Sequence, residues 1–557
     1  MINPHAVESC SLLLVALGLA AYKWLPPIAP RWFSAFAARK WMAALSVGIA
    51  ALAIRAVLLP IHPPPEPAIM DEYSYLLAGD TFASGRAANP PHPFWIHFET
   101  FCVLSQPTYA SKYPPAQGLA LAAGILLAHS PWVGVWLSVA LMCVAIVWML
   151  QGWLPPRWAL LGGILVLLRI AIGSYWIDSY WGGAVAAIGG ALLYGALPRL
   201  MRCGRVRDGL LLGLGLAILA NSRPFEGVLV SIPAMIAVAV WVFRRGRPAA
   251  RTLAPTLALL ATAGAAMLAY NHAVTGSPWR LPYQVHEAQY AVAPLFWFQK
   301  LRPEPAYHHA VMRAVWTGGA ADTYLQNFRE GLAAASLEKL GHLWTFFLGP
   351  LLTVPLLALP WALRQKRFRV VYAAIGVCLL GMLLEIDIVP HYAAPATGLI
   401  YLVVVQCLRH LRASGWAGRA VARAIPAVLA CTVVFFYALE ARGATFLHEH
   451  YSWCFAKPGN LKRARVLKQL ETLPGRHLVM MRYGPHHEPY DEWVQNRADI
   501  DGAEVVWARE MDVARNRALL QYFSSRRVWL LDPDAPDSTP QPYDETPGQL
   551  SLVTKKP

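Results

Sequence analysis

WMAALSVGIAALAIRAVLLPIHPPPEPAIMDEY, residues 41–73, is the stretch whose reading decides the fold. An apolar run from Trp41 to Ile61 has membrane-spanning length. It breaks at the hinge His62-Pro63-Pro64-Pro65, and the adjacent acids Asp71 and Glu72 follow. A carboxylate pair at the mouth of a membrane helix costs free energy unless it is solvated or paired, so both residues are functional candidates. The loop they open runs to Lys112-Tyr113-Pro114-Pro115 and is rich in aromatics and prolines but poor in charge.

Similar apolar runs recur along the chain, which is 56% hydrophobic and only 14% charged over 557 residues. The expected class is an all-α polytopic membrane protein, with spans near 7–25, 41–61, 132–151, 158–173, 181–198, 208–221, 224–243, 252–270, 341–362, 370–385, 393–409 and 425–440. Ala116 to Ala128 is apolar but short, and reads as a surface or re-entrant helix. The net charge of +16 is spent in loop clusters around Arg39, Arg202, Arg245, Arg367 and Arg412, which is a topology signal and argues against nucleic-acid binding. If Ala116–Ala128 does not cross, all five clusters fall on one side, the cytoplasmic one, so charge selects about twelve spans. Three regions follow: 1–40, an extra N-terminal helix and linker; 41–440, the membrane body; and 441–557, a soluble extracytoplasmic appendage. In the last, His477–Met481, Val505–Ala508 and Val528–Asp532 read as strands and Met511–Phe523 as a helix, a small α/β domain without a Gly-rich phosphate loop. From Pro533 the tail reads as loosely ordered. The eight cysteines are scattered without metal-ligand spacing, although Cys102 and Cys454 both fall in external segments and are a candidate disulfide.

Asp71 or Glu72 has the chemistry to take an acceptor proton while a sugar's anomeric carbon becomes cationic; the bland reading is a helix start. Lys112 is suited to a phosphate contact or to snorkelling at the interface. Arg55, Arg169 and Arg223 lie near external span ends, against the topological grain. Arg223 has an ion-pair partner in Glu226, whereas Arg55 and Arg169 stay open as donor-phosphate ligands. Asp178 is the only acid in the loop Ser174–Tyr180; it either joins Asp71 around a divalent cation or solvates a turn. His391 and Tyr392 follow Pro390 at another external helix mouth. The doublets His308-His309 and His486-His487 lack metal spacing and read as solvated surface histidines.

At these residues the chain resembles the GT-C class of integral-membrane glycosyltransferases, in the branch of the aminoarabinose transferases of lipid A, the protein O-mannosyltransferases and the rhizobial lipopolysaccharide core transferases. Asp71-Glu72-Tyr73, then Ala83-Ser84-Gly85-Arg86, then Lys112-Tyr113-Pro114-Pro115, and finally His391-Tyr392-Ala393-Ala394-Pro395 follow that branch's motif order across roughly residues 41 to 410. The resemblance implies a polyprenyl-phosphate-linked sugar donor and an external site, with Asp71 as acid–base residue and Lys112, with Tyr113, on the donor phosphate. The acceptor would be a lipid, a glycan or a protein. The helix at 7–25 and the C-terminal domain depart from the pattern. Two other functions compete: a transporter or flippase of lipid-linked sugars, which should show pseudo-symmetric halves absent here, and a membrane scaffold or receptor.

Overall fold

The computed structural model describes residues 1–20 and 31–543. Among them, seven helices are long and apolar enough to cross a membrane: Lys40–Leu58, Pro131–Trp153, Ala184–Cys203, Pro224–Arg245, Arg247–Thr275, Pro390–Ala413 and Trp416–Glu440. Their outward faces are apolar. On Pro224–Arg245 the exposed residues Val228, Ile232, Ile236, Val240 and Phe243 fall three or four apart, one stripe of a helix. Such a stripe is stable against lipid and costly against water, so the chain is an integral membrane protein.

One further pair of helices is long and apolar enough together but is sharply bent. Leu332–Phe347 and Gly349–Leu363 meet at 97°. The break is at Gly349, which has φ +56° and no room for a side chain, since a Cβ there would lie 2.4 Å from Glu8 and 2.6 Å from Arg169. The other expected spans are shorter helices: Pro4–Ala20, Pro156–Val166 with a π-helical turn Leu167–Ala171, Val206–Ala220 and Arg369–Met382. The final residues of the expected span 7–25 lie outside the described residues. Helices this short tolerate the bilayer only where neighbouring helices cover their ends; Pro156–Val166, for instance, is buried along most of its length.

Pro115–Ala128 has 14 residues. It packs between Met70–Ala83 and Pro131–Trp153, and the chain reverses through His129, whose φ is +53°. Gly134 makes the close approach: a Cβ there would lie 2.0 Å from the Ala120 carbonyl oxygen. Beyond Met70–Ala83, the hairpin β1 (Val103–Leu104) and β2 (Ala110–Ser111) folds back onto that helix.

The C-terminal strands β3 (His477–Met481), β4 (Val505–Arg509), β5 (Arg527–Leu531) and β6 (Gln541–Pro542) form one sheet in the order β4-β3-β5-β6. β3 runs parallel to both neighbours, with Val479 opposite Trp507 and Trp529. The first three strands lie where the sequence predicts them. The tail expected to be loose from Pro533 instead returns as β6 against β5; residues 544–557 lie outside the described set. Nor is this sheet a free appendage. Leu478, Met480 and Val506 share an apolar cluster with Leu77, Phe98 and Val103. Asp80 accepts hydrogen bonds from Arg497 (3.1 Å) and the Ala498 N–H (2.9 Å), and Arg509 donates to the Glu99 carbonyl (2.9 Å).

Candidate functional site

Asp71 sits in the first turn of Met70–Ala83, where the helix dipole favours a carboxylate. Downstream, the helix ends at Gly85, whose φ of +72° lets Arg86 N–H reach the Thr81 carbonyl. From this helix Ser74 donates to the Cys102 carbonyl (2.6 Å) and shares a hydrogen bond with Ser111 (2.7 Å), clamping the β1–β2 hairpin in place. The hairpin delivers Lys112 and Tyr113. The Tyr113 hydroxyl donates to Asp71 Oδ1, and its ring stacks on Tyr75 at 4.5 Å. Burial and the Asp71 carboxylate hold the Tyr113 phenol well above its ordinary range, so it stays a donor.

Lys112 is buried, with its ammonium 4.9 Å from the centre of Tyr283 and 5.4 Å from that of Tyr113. Interface snorkelling is therefore not its role. Its carboxylate partner is Glu287 at 3.8 Å, too long for a tight pair, which leaves the ammonium available to an anion. Burial works against that charge, but Cys102, Glu287 and Asp71 hold Lys112 above its ordinary pKa. Burial likewise pushes Glu287 up, but His286, Lys112 and Arg302 outweigh it and leave Glu287 ionised below its usual range. A cavity of about 330 Å³ joins Asp71, Lys112 and Tyr113 to Arg223, Glu385 and Tyr392.

Glu72 points elsewhere. Its two oxygens accept from the backbone N–H groups of Ala68 (3.1 Å) and Tyr180 (2.9 Å), tying the helix start to the Ser174–Tyr180 loop. Burial pushes it up to about 8, so near neutrality it is largely a protonated structural residue, and the paired catalytic reading narrows to Asp71.

Several sequence candidates are structural. Arg55 donates to Asp178 at 2.6 Å and to the His62 carbonyl at 2.7 Å. This ion pair pins the hinge after the Lys40–Leu58 helix and takes Asp178 out of any cation site shared with Asp71. Among the described residues no group of three His, Cys, Asp or Glu side chains is arranged to hold a metal. Arg169 is buried against Glu8 (2.8 Å), the Phe346 carbonyl (3.0 Å) and the Trp453 ring (3.9 Å), a closed cage with no opening for a phosphate. His391 is buried against Tyr175 (3.0 Å) and Trp181, while its neighbour Tyr392 reaches the cavity. Cys102 and Cys454 are both free thiols. Cys102 Sγ lies 3.8 Å from Asp71 Oδ1, and Cys454 packs in the helical core. One histidine of each doublet is solvated as expected, His308 and His486 being exposed, although His308 also reaches the buried Glu99 at 3.1 Å. The other two are not, for His309 lies 3.6 Å from Glu99 and His487 is held by Asp534 at 2.8 Å.

Sequence reasoning under-read Arg223. It does meet Glu226, at 3.7 Å, but its guanidinium also stacks 4.4 Å over Tyr392 and lines the cavity. Its position against the topological grain was the usable signal. Tyr283, Glu287 and Glu385 gave none, because only the fold brings the first two to Lys112 and the third to the cavity wall.

No protein-family model and no curated protein matches the chain. Among solved structures it is similar to the oligosaccharyltransferase of Archaeoglobus fulgidus. Against that enzyme tethered to an acceptor peptide, identity is 12% and the TM-score 0.44, over 83% of this chain and 60% of the other. Against oligosaccharyltransferase AglB from the same organism, in complex with an inhibitory peptide and a dolichol-phosphate, identity is 10% and the TM-score 0.44, over 88% of this chain and 69% of the other. The chain thus spans about three-fifths of the length of the first of these proteins.

Proposed function

We propose that the chain is a GT-C-class membrane glycosyltransferase that moves a sugar from a polyprenyl-phosphate donor to an extracytoplasmic lipid, glycan or protein acceptor. The observation that carries this reading is the single cavity in which Asp71 faces two cations, Lys112 and Arg223, between tyrosine rings. Breaking the bond from anomeric carbon to phosphate oxygen leaves negative charge on the phosphate. Lys112 and Arg223 stabilise that charge in a water-poor pocket. Asp71 takes the proton of the attacking hydroxyl or amine, and the Tyr113 hydroxyl, which donates to Asp71 at rest, orients the carboxylate for it. Tyr75, Tyr283 and Tyr392 offer apolar faces to a sugar ring or to the first isoprene unit.

The topology belongs to the same proposal: twelve spans with the short ones counted, residues 41–440 as the transferase body, and 441–557 outside the cytoplasm of a bacterial-type inner membrane. The sidedness of the arginine clusters supports it. Purification with native lipid followed by mass spectrometry tests the chemistry. A polyprenyl-phosphate sugar should co-purify with the native chain and be depleted from an Arg223→Gln variant. Equal retention by both, or no such lipid under conditions that keep other lipids bound, would overturn the reading.

A further inference from the structure

A second cavity, of about 390 Å³, lies at the opposite, arginine-rich ends of the spans and has no part in the glycosyl-transfer reading. It is bounded by the start of Pro156–Val166, the turn before Arg369–Met382 and the last turn of Thr397–Ala413. Among the described residues its charged lining is Arg157, Arg409 and Arg412, and no acid lines it. Other arginines nearby are already used by the backbone: Arg202 and Arg367 both donate to the Gly152 carbonyl, at 2.8 and 3.1 Å, and Arg199 donates to the Trp148 carbonyl at 2.7 Å. Arg157 and Arg409 are different. Neither forms a salt bridge among the described residues. The charges acting on Arg409 are those of Arg367 first and Arg157 second, both of like sign.

The polar wall of this cavity is built to hold a fixed arrangement. Buried Gln406 accepts from Arg409 at 2.7 Å and donates to Gln365 at 2.9 Å. Both glutamine amides then point at one ring nitrogen, Nε2 of His410, from 3.0 and 3.3 Å. A nitrogen receiving two N–H donors is an acceptor, so the imidazole proton is on Nδ1. His410 is left with one N–H donor to offer beside the arginines. The network thus fixes Arg409 and presents donors only. Holding like charges together without a counter-ion is unfavourable, and an anion in the cavity relieves it.

The level of the cavity identifies the anion's setting. Trp416, just after the lining residue Ala413, is exposed at the first turn of the apolar helix Trp416–Glu440, where indole rings mark the headgroup layer. Ala358 and Ala362 pack against Cys407, one turn or so inward of the pocket, and leave Leu357 and Trp361 exposed at 72% and 56%. An acyl chain has an apolar surface to lie on there. We propose that this cavity is a phosphate-group site for an anionic membrane lipid, held by Arg157 and Arg409 with His410 as a neutral donor. Basic pockets between helices on the positive side of a membrane protein are suited to such headgroups.

The test uses the full chain in detergent, native mass spectrometry, and three probes: short-chain phosphatidylglycerol, short-chain phosphatidylcholine and inorganic phosphate. Phosphatidylglycerol should bind about tenfold or more tightly than phosphatidylcholine. Arg157→Gln with Arg409→Gln should remove that preference, as two charge-assisted contacts are lost. Arg364→Gln, a basic residue of the same loop outside the cavity, should not. Saturable binding of inorganic phosphate that displaces phosphatidylglycerol and is lost in the double variant would support the site with free phosphate as an alternative source of the same group. The lysine pair, Arg157→Lys with Arg409→Lys, guards against misfolding and should keep most of the preference. Equal affinity for the two lipids, or an undiminished preference in the double glutamine variant, would overturn the proposal.

Discussion

The base role proposed for Asp71 rests on its position: the first turn of a helix, half-buried, with a tyrosine donor on one oxygen and the cavity beside it. Asp71→Asn keeps an acceptor for Tyr113 but removes the base. We expect it to fold normally and to lose roughly 10²–10⁴-fold in transfer rate. A well-folded Asp71→Asn protein turning over at the native rate would end the acid–base assignment. Lys112→Met is the companion test, because methionine keeps most of the stem that packs between Tyr113 and Tyr283. The loss should be about 1.5–3 kcal/mol on the donor, with acceptor KM little changed, since Arg302 still contacts Glu287 through its backbone carbonyl and carboxylate. Unchanged donor kinetics would make Lys112 a packing residue. Much of this was legible in sequence. A lone lysine and an acid pair in a loop poor in charge stand out, whereas Arg223 was masked by Glu226, which explains the charge without excluding the cavity.

At the scale of elements, two buried contacts fix how pieces of chain meet, and neither was readable because the partners are far apart in sequence. Arg169 with Glu8 fastens the Pro4–Ala20 helix to the break at Gly349. Glu8→Ala should cost about 3–5 kcal/mol by stranding the guanidinium, while replacing both partners with apolar residues of similar size should recover much of it. Thermal unfolding in one detergent decides the point, and a Glu8→Ala chain as stable as the native one would show that the helix is held by its apolar face alone. Glu72 joins the start of Met70–Ala83 to the Ser174–Tyr180 loop as a largely protonated acid, raised by burial from 4.5 to about 8. The folded chain therefore binds a proton that the unfolded chain releases. Its contribution is complete below about 4.5 and is lost as pH rises through about 8. Glu72→Gln should flatten stability across that window. It should also be less stable at acid pH, because the amide nitrogen faces a backbone donor. A native-like slope in the variant would assign the alkaline loss to other groups.

For the whole molecule, composition and apolar periodicity were enough for the helical membrane body and for three of the four C-terminal strands. They did not reveal that the sheet docks on the loop after Met70–Ala83. That interface rests on Asp80, Glu99 and Thr100, polar residues whose partners lie some four hundred positions away. Docking has a topological consequence: the sheet must share a side of the membrane with Asp71, so one measurement locates both. Ser525 is exposed on the turn before β5 and suits a single reporter, Ser525→Cys. The native chain supplies the opposite reporter in Cys203, exposed at the end of Ala184–Cys203 amid the arginines assigned to the cytoplasm. A membrane-impermeant thiol reagent applied from outside, with any outer membrane permeabilised, should label residue 525 and spare Cys203. Lysis of the inner membrane should then expose Cys203. The reverse order would put Asp71 in the cytoplasm and end the external-donor mechanism, because the arginine asymmetry assigns both sides at once.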